Sequence, residues 1–437
     1  MRLLSFLLVV LAAFCYFDNS QAQSQSKKKE YDLSKVEIFL HTVDVGNLVY
    51  NNFGHTAIRV RDGNTGKDNI YNWGIFDFDN PLTFSANFYL GELLYQLGAY
   101  PLRTANAHYK YEKRSVWQDR INFSDEEKKI FLDRLEWNLK PENKQYLYQY
   151  FDDNCSTRPR DYIDEALGYQ LKTQITDEFT GFTYRDFVRK GYALNPSMDM
   201  LLEIGMNGRL ERPVSRWQST FHPLYLRAEL QAFKKANGEP LLVESKTLYN
   251  YETPSGFEHI FKLVACMLFV PVLILLIVFQ KESLKQDSTD SKAKKLQANA
   301  LRILGFIALP QLSYFGFCGL VMPLNWLFSG HHDLHHNLNM LFFLPFDILL
   351  LVPAFMIFVR KRQFVLTPKF CQIAKKYMVL HLVLLLASLF TLTGGHQLQD
   401  LSRVILVAIP YNMTIALLVN FGLKKQGEGK LDASRAG

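Results

Sequence analysis

The chain has 437 residues, 48% hydrophobic, 14% aromatic and 21% charged, with a formal net charge of +7. That length exceeds one ordinary domain. The positive charge is dispersed among loops instead of forming a basic stripe, which argues against a nucleic-acid partner.

In chain order, Met1 and Arg2, the apolar run LLSFLLVVLAAF and the small-residue stretch ending at Ala22 have the three-part grammar of a secretory signal peptide over residues 1–22. Phe14 stands before Cys15 where a lipobox needs a small residue, so a lipidated N-terminus is rejected. Residues 23–256 then mix strand and helix signals. VEIFLHTV reads as a strand, and HTAIRVR alternates, with Thr56, Ile58 and Val60 on one face and His55, Ala57 and Arg59 on the other. DGNTG is turn chemistry and IYNWGIF resumes the extended pattern. Folded about that turn, positions summing to about 127 face each other, setting His55 across from Asn72. SDEEKKIFLDRLEWNL predicts a helix with Ser124 and Glu127 in a capping box. After Cys155, Ser156 or Thr157 can cap a helix with Pro159 in its first turn and Gly168 as its stop.

From Phe257 the composition changes. Five apolar stretches, about 261–280, 301–322, 338–359, 377–394 and 402–423, are each roughly long enough to cross about 30 Å of hydrocarbon. The loops after the first and third carry many Lys and Arg, whereas PLNWLFSGHHDLHHNLN and GGHQLQDLS carry none. The positive-inside rule therefore makes the basic loops and the tail 426–437 cytoplasmic, and places residues 23–256 outside. Asp347 lies within the third stretch, where a carboxylate is costly and a functional suspect by default. Pro271, Pro345 and Pro410 are expected to kink their spans.

Of five cysteines, only Cys155 falls in the mature exported domain. An exported thiol without a partner is either buried and inert or kept for reactivity. The helix start predicted beside it favours thiolate, and nearby backbone N–H groups can hold an oxyanion. Asp152 and Asp153 oppose a thiolate, so a base is required, and His55 is the candidate. A polar group such as Asn72 could orient it, completing a Cys-His-Asn set. HHDLHHNLN contains His331 with His335, and His332 with His336, at four-residue spacing, but lacks the glutamate of a metallohydrolase motif. No metal is assigned. These residues are read as contacts to lipid headgroups or to the exported domain. Arg158 and Arg160 either pair with a phosphate or form helix-surface salt bridges. His41, His108 and His222 are read as structural.

GHTAIRV followed by NCSTRPRD resembles the permuted NlpC/P60-like thiol enzymes. YNNFGHTAIRV, YNWGIFDF, DDNCSTRPRD and HHNLNMLFFLP together resemble the Lnb-type bacterial lipoprotein N-acyltransferases. The resemblance implies an α+β papain-like, circularly permuted domain followed by an all-α five-helix transmembrane domain in the bacterial inner membrane, with the catalytic domain in the periplasm. It implies Cys155 as nucleophile, His55 as base and Asn72 in the third position. Arg158, Arg160, His331, His332, His335, His336, Asn337 and Asn339 become candidates for substrate contact. The implied reaction moves an acyl chain from a membrane phospholipid through a cysteine thioester to the N-terminal amine of a diacylated lipoprotein, without a cofactor. A membrane-anchored cysteine peptidase or amidase acting on peptidoglycan peptides would use the same residues. A non-enzymatic membrane assembly factor would keep only the scaffold.

Overall fold

A computed structural model describes residues 31–46, 48–76, 80–253, 256–257, 259–283, 291–391 and 398–426. The signal-peptide assignment, at residues 1–22, and all of the tail beyond Gln426 lie outside the described residues.

The N-terminal half is built on a seven-stranded antiparallel sheet in the order β6-β4-β3-β2-β1-β5-β9. Its strands are β1 (Val36–Val43), β2 (His55–Asp62), β3 (Lys67–Phe76), β4 (Leu94–Pro101), β5 (Val116–Ile121), β6 (Gln145–Leu147) and β9 (Leu242–Tyr249). A separate two-stranded ribbon pairs β7 (Phe179–Thr183) with β8 (Pro213–Ser215). Both faces of the large sheet are covered. Ile38, Leu40, Ile58, Trp73 and Leu97 pack against α3 (Asp125–Leu139), α4 (Thr157–Ala166) and α7 (Pro223–Ala232), supplied by Phe131, Leu135, Ile163 and Leu226. Val43, Ala57, Ile70 and Val116 pack against Ala105 and Tyr109 of α2 (Leu102–Tyr111). The alternation in HTAIRVR therefore divides between two cores. Each fully buried large aliphatic or aromatic residue contributes about 1.5–3 kcal/mol. The capping box at Ser124 and Glu127 is formed as the sequence predicts.

The hairpin register departs from the expected one. Ile58 faces Tyr71 and Arg59 faces Ile70, so paired positions sum to 129 and the place opposite His55 falls to Gly74, two residues beyond Asn72. On its other side β3 pairs Asn72 with Gly98 and Ile75 with Gln96, leaving one extra residue on β3. This bulge leaves the Gly74 N–H outside the ladder, and Asn72 Oδ1 accepts from it at 2.8 Å. The sum of 129 already holds at Asp62–Lys67, the pair that closes the hairpin, so the two-residue difference from the expected register arises in the turn itself.

The C-terminal half is largely helical, with α8 (Ile260–Ser283), α9 (Ser291–Phe328), α10 (Leu351–Arg360), α11 (Pro368–Thr391) and α12 (Val404–Leu417). Among the described residues, four helices are long and apolar enough to cross a membrane. The expected third span is instead a pair of helical pieces, His332–Leu341 and Pro345–Arg360, bent by 62°. Pro345 opens the second piece as a helix-starting residue. The half is not purely α: Phe364–Leu366 (β10) and Leu423–Lys425 (β11) pair in parallel. Asp347 is fully buried here and accepts from Tyr377 Oη at 2.9 Å, Tyr411 Oη at 2.8 Å, His381 Nε2 at 2.8 Å and the Leu344 N–H at 2.9 Å. It ties the bent piece to α11 and α12, a structural reason for a carboxylate at this depth.

Candidate active site

The short connection from β6 to α4 carries Cys155, and Asn154 holds it in place. Asn154 Oδ1 accepts from the N–H groups of Ser156 at 2.7 Å and Thr157 at 3.0 Å. Its Nδ2 donates to the carbonyls of Tyr150 at 2.9 Å and Phe221 at 3.1 Å. The cap therefore comes from Asn154, and neither Ser156 nor Thr157 performs the task assigned from sequence. Ser156 is free for another contact: its Oγ meets Thr56 Oγ1 at 2.8 Å. This bond fixes the start of α4 to β2 at the residue after His55. The same bond brings the Thr56 backbone N–H toward the Cys155 sulfur, where it favours the thiolate. Two segments a hundred residues apart thus meet at one strand position.

His55 lies at the start of β2 with its Nε2 buried and unpartnered. Asn72 lies beside it and hydrogen-bonds the imidazole. Because Asn72 Oδ1 already accepts from Gly74 and Asn72 Nδ2 donates to Tyr100 Oη at 2.9 Å, the amide orientation is determined. With the Asn72 amide so oriented, its influence on the neighbouring ring favours the protonated imidazole, while Nε2 stays without a partner. A third buried group, Arg114, donates through Nε to the Asp44 carbonyl at 2.9 Å and through Nη1 to Asn51 Oδ1 at 3.1 Å, while its Nη2 has no partner. Tyr109 Oη is likewise buried and unpartnered.

Burial dominates the electrostatics. It lowers His55 to about 3, aided by the Arg114 guanidinium and opposed by the Asn72 hydrogen bond. Burial also pushes the Cys155 thiol up, against the opposing influence of the Thr56 N–H, Ser156 and Arg114. Burial thus favours the neutral form of each group. Tyr95 and Tyr148, stacked with ring centroids 4.4 Å apart, wall the site. Tyr95 is pushed up to about 12 by burial, with the nearby Cys155 sulfur adding to it.

The remaining candidates have protein partners. Arg158 makes a bidentate pair with Asp153 at 2.6 and 2.7 Å and lies over the Tyr146 ring. Arg160 binds Asp161 and Thr220 and lies over Trp217. His331 donates to the Phe88 carbonyl at 2.6 Å and stacks on Tyr150. His335 donates to the Ser329 carbonyl at 2.8 Å, its ring beside that of His332, and His336 accepts from the Trp326 indole at 2.9 Å. Asn337 donates to the carbonyls of Ile204 and Gly205, and Asn339 to those of Glu203 and Ile204. His331, Asn337 and Asn339 thus contact the N-terminal domain, whereas His335 and His336 bond within the helical half. Among the described residues no group of histidines, cysteines and carboxylates could hold a metal ion. His41 and His222 are buried and structural, bonding Gln118 and the Leu224 N–H.

Sequence reasoning missed Asn154, Tyr100, Tyr109 and Arg114. Asn154 carried a usable signal, an asparagine just ahead of a helix. Arg114, within YEKRSV, reads as part of a solvated charge run, and only its burial singles it out.

Comparison with known proteins falls on this same segment. Residues 22–189 match the Lnb N-terminal periplasmic domain family. No curated protein and no solved structure matches the chain. The Lnb match contains His55, Asn72 and Cys155 but stops before β9, which completes the sheet edge beyond β5. A periplasmic domain of this family followed by several apolar helices fits an inner-membrane protein.

Proposed function

We propose that this chain is a lipoprotein N-acyltransferase using Cys155 as its nucleophile. His55 Nε2 takes the thiol proton as Sγ attacks an acyl ester of a phospholipid. The tetrahedral adduct collapses with cleavage of the ester C–O bond, and the lysophospholipid leaves with the proton held by His55. The N-terminal amine of a diacylated lipoprotein then attacks the thioester, its lost proton passing to His55 and on to the departing thiolate. Asn72 orients the ring, and Tyr100 keeps Asn72 in place.

The observation that carries this reading is the unpartnered, buried Nε2 of His55 on a strand whose next residue, Thr56, is bonded to Ser156, the residue after Cys155. The choice of lipid over wall peptide is supported by the docking of this domain on the helical half. Asn207 donates to the carbonyls of His332 and His335, and Gln399 bridges the Met206 carbonyl and Asn337. Both loops that touch the domain belong to the segments free of Lys and Arg. The bent pair leads from this docked side to β10, whose partner β11 follows α12, which supports a fifth crossing and a cytoplasmic C-terminus. The decisive experiment incubates membranes containing the protein with acyl-labelled phospholipid. Hydroxylamine-labile label on the wild type, absent from Cys155→Ala, supports the proposal. Cleavage of wall peptide without acyl label supports the peptidase reading, and neither activity supports an assembly role.

A further inference from the structure

The Phe88–Gly91 turn is clamped to the end of a membrane helix. α1 (Pro81–Leu90) follows the strand that carries Asn72, and its last turn reaches the end of α9. Ser329 Oγ donates to the Tyr89 carbonyl at 2.7 Å, and the Gly330 N–H donates to the Leu90 carbonyl at 2.9 Å. The approach is close enough that a Cβ at Gly330 would lie 2.2 Å from the Leu90 oxygen, which only glycine permits. The final turn of α9 exposes Trp326, Leu327 and Phe328, the apolar and aromatic residues of a span end.

The apolar surface continues from there onto the N-terminal domain. Residues 80–90 contain no charged side chain. Leu82 is 83% exposed, and Phe88 and Leu90 are exposed on the same helix. Beyond them lies the sheet edge, where Leu94 of β4 directly faces Leu147 of the outermost strand β6, both again exposed. Five such residues exposed along one helix and the adjoining sheet edge mark this side of the domain as an interaction surface. Beneath α1 is a cleft of about 390 Å³ whose apolar wall is Phe76, Phe84, Leu93 and Leu94 and whose rim is polar, with Asn80, Thr83, Asn87, Glu92, Gln96 and Gln145. Ring contacts lead inward from it: Phe84 to Phe76 at 5.3 Å, Phe76 to Tyr95 at 4.9 Å, and Tyr95 to Tyr148 at 4.4 Å, beside Cys155.

We infer that the α1–β4–β6 edge is seated in the lipid of the leaflet on its own side, continuous with the end of α9, and that the cleft beneath α1 admits a phospholipid acyl chain. The edge then acts as the route from bilayer to thiol. The inference rests on the acyl-transfer reading for its purpose, while its geometry is independent of catalysis.

The test uses the full chain carrying Cys155→Ala, with a benzoylphenylalanine photoprobe at position 82, 147, 327 or 65. The proteins are reconstituted in phosphatidylethanolamine–phosphatidylglycerol vesicles with labelled acyl chains. Thr65 is the exposed control, at the opposite end of β3 and roughly 33 Å away. Labelling at 82 and 147 within about threefold of that at 327, and about tenfold above that at 65, is the expected result. Labelling at 327 with only the level of position 65 at 82 and 147 overturns the inference. Because the readout is contact with lipid, lipid labelling in a protein whose Cys155 form transfers no acyl group would remove the proposed function and leave this surface standing.

Discussion

If Cys155 works as proposed, its thiol must be protonated until substrate arrives, and the pH dependence of its alkylation reports this directly. An unperturbed pair titrates near 6.5 for the imidazole and 9.0 for the thiol. In the folded protein burial lowers His55 to about 3 and raises the thiol above 9.0. Both displacements oppose moving the proton from sulfur to nitrogen in the resting site, because each makes the charged form of its group harder to reach. A standing thiolate–imidazolium pair is therefore scarce, and deprotonation must accompany attack on the ester. Iodoacetamide labelling of Cys155, followed by mass spectrometry between pH 5 and 10, should rise through pH 9 without a plateau at lower pH. His55→Asn should leave that profile nearly unchanged while lowering acyl transfer about 10²–10⁴-fold. A labelling plateau with a midpoint below pH 7, abolished by His55→Asn, would refute the reasoning, because it would reveal an ion pair already formed.

The same burial makes the N-terminal domain sensitive to acid. His41 and His222 are held down to about 4 and His55 to about 3, all chiefly by burial. The unfolded chain takes up protons at these sites as pH falls through 6.5 and the folded chain does not, so at pH 5 each favours unfolding by about 2 kcal/mol. Asp199, pushed up to about 6 by burial, returns about 1 kcal/mol over the same range. Thermal unfolding of the purified protein should shift down steeply from pH 7 to pH 5, and equal midpoints at those two values would contradict this. In the helical half, Asp347→Ala should destabilise the protein by about 3–5 kcal/mol, since it strips His381, Tyr377 and Tyr411 of their shared acceptor. An unfolding midpoint in detergent matching that of the wild type would show the network to be dispensable. Asn337→Ala removes two bonds to the N-terminal domain and the support of Gln399. At about 1 kcal/mol per bond it should loosen the docking without melting the sheet, seen as faster amide exchange over residues 203–207 and 399–403. Unaltered exchange there would place the docking energy elsewhere.

Much of this architecture is local and therefore legible in the amino-acid order. β1 occupies the predicted VEIFLHTV, the capping box sits at Ser124, and the apolar stretches became helices, because side-chain alternation, caps and apolar length act within a few residues. The candidacy of Cys155 and His55 was visible for the same reason, in a thiol next to a helix start and an imidazole opening a strand. What needed the folded chain were relations between distant segments. The His55–Asn72 offset depends on which pair closes the β2–β3 hairpin, and the bulge beside Asn72 on how β3 pairs with β4. The break in the third span depends on Asp347 finding donors on two other helices. The burial of Arg114 and the engagement of the HHDLHHNLN loop depend on which surfaces meet. Backbone propensity falls off within a turn or two, whereas desolvation and hydrogen-bond satisfaction are set by whatever residue packing brings alongside, and no linear pattern records that neighbour.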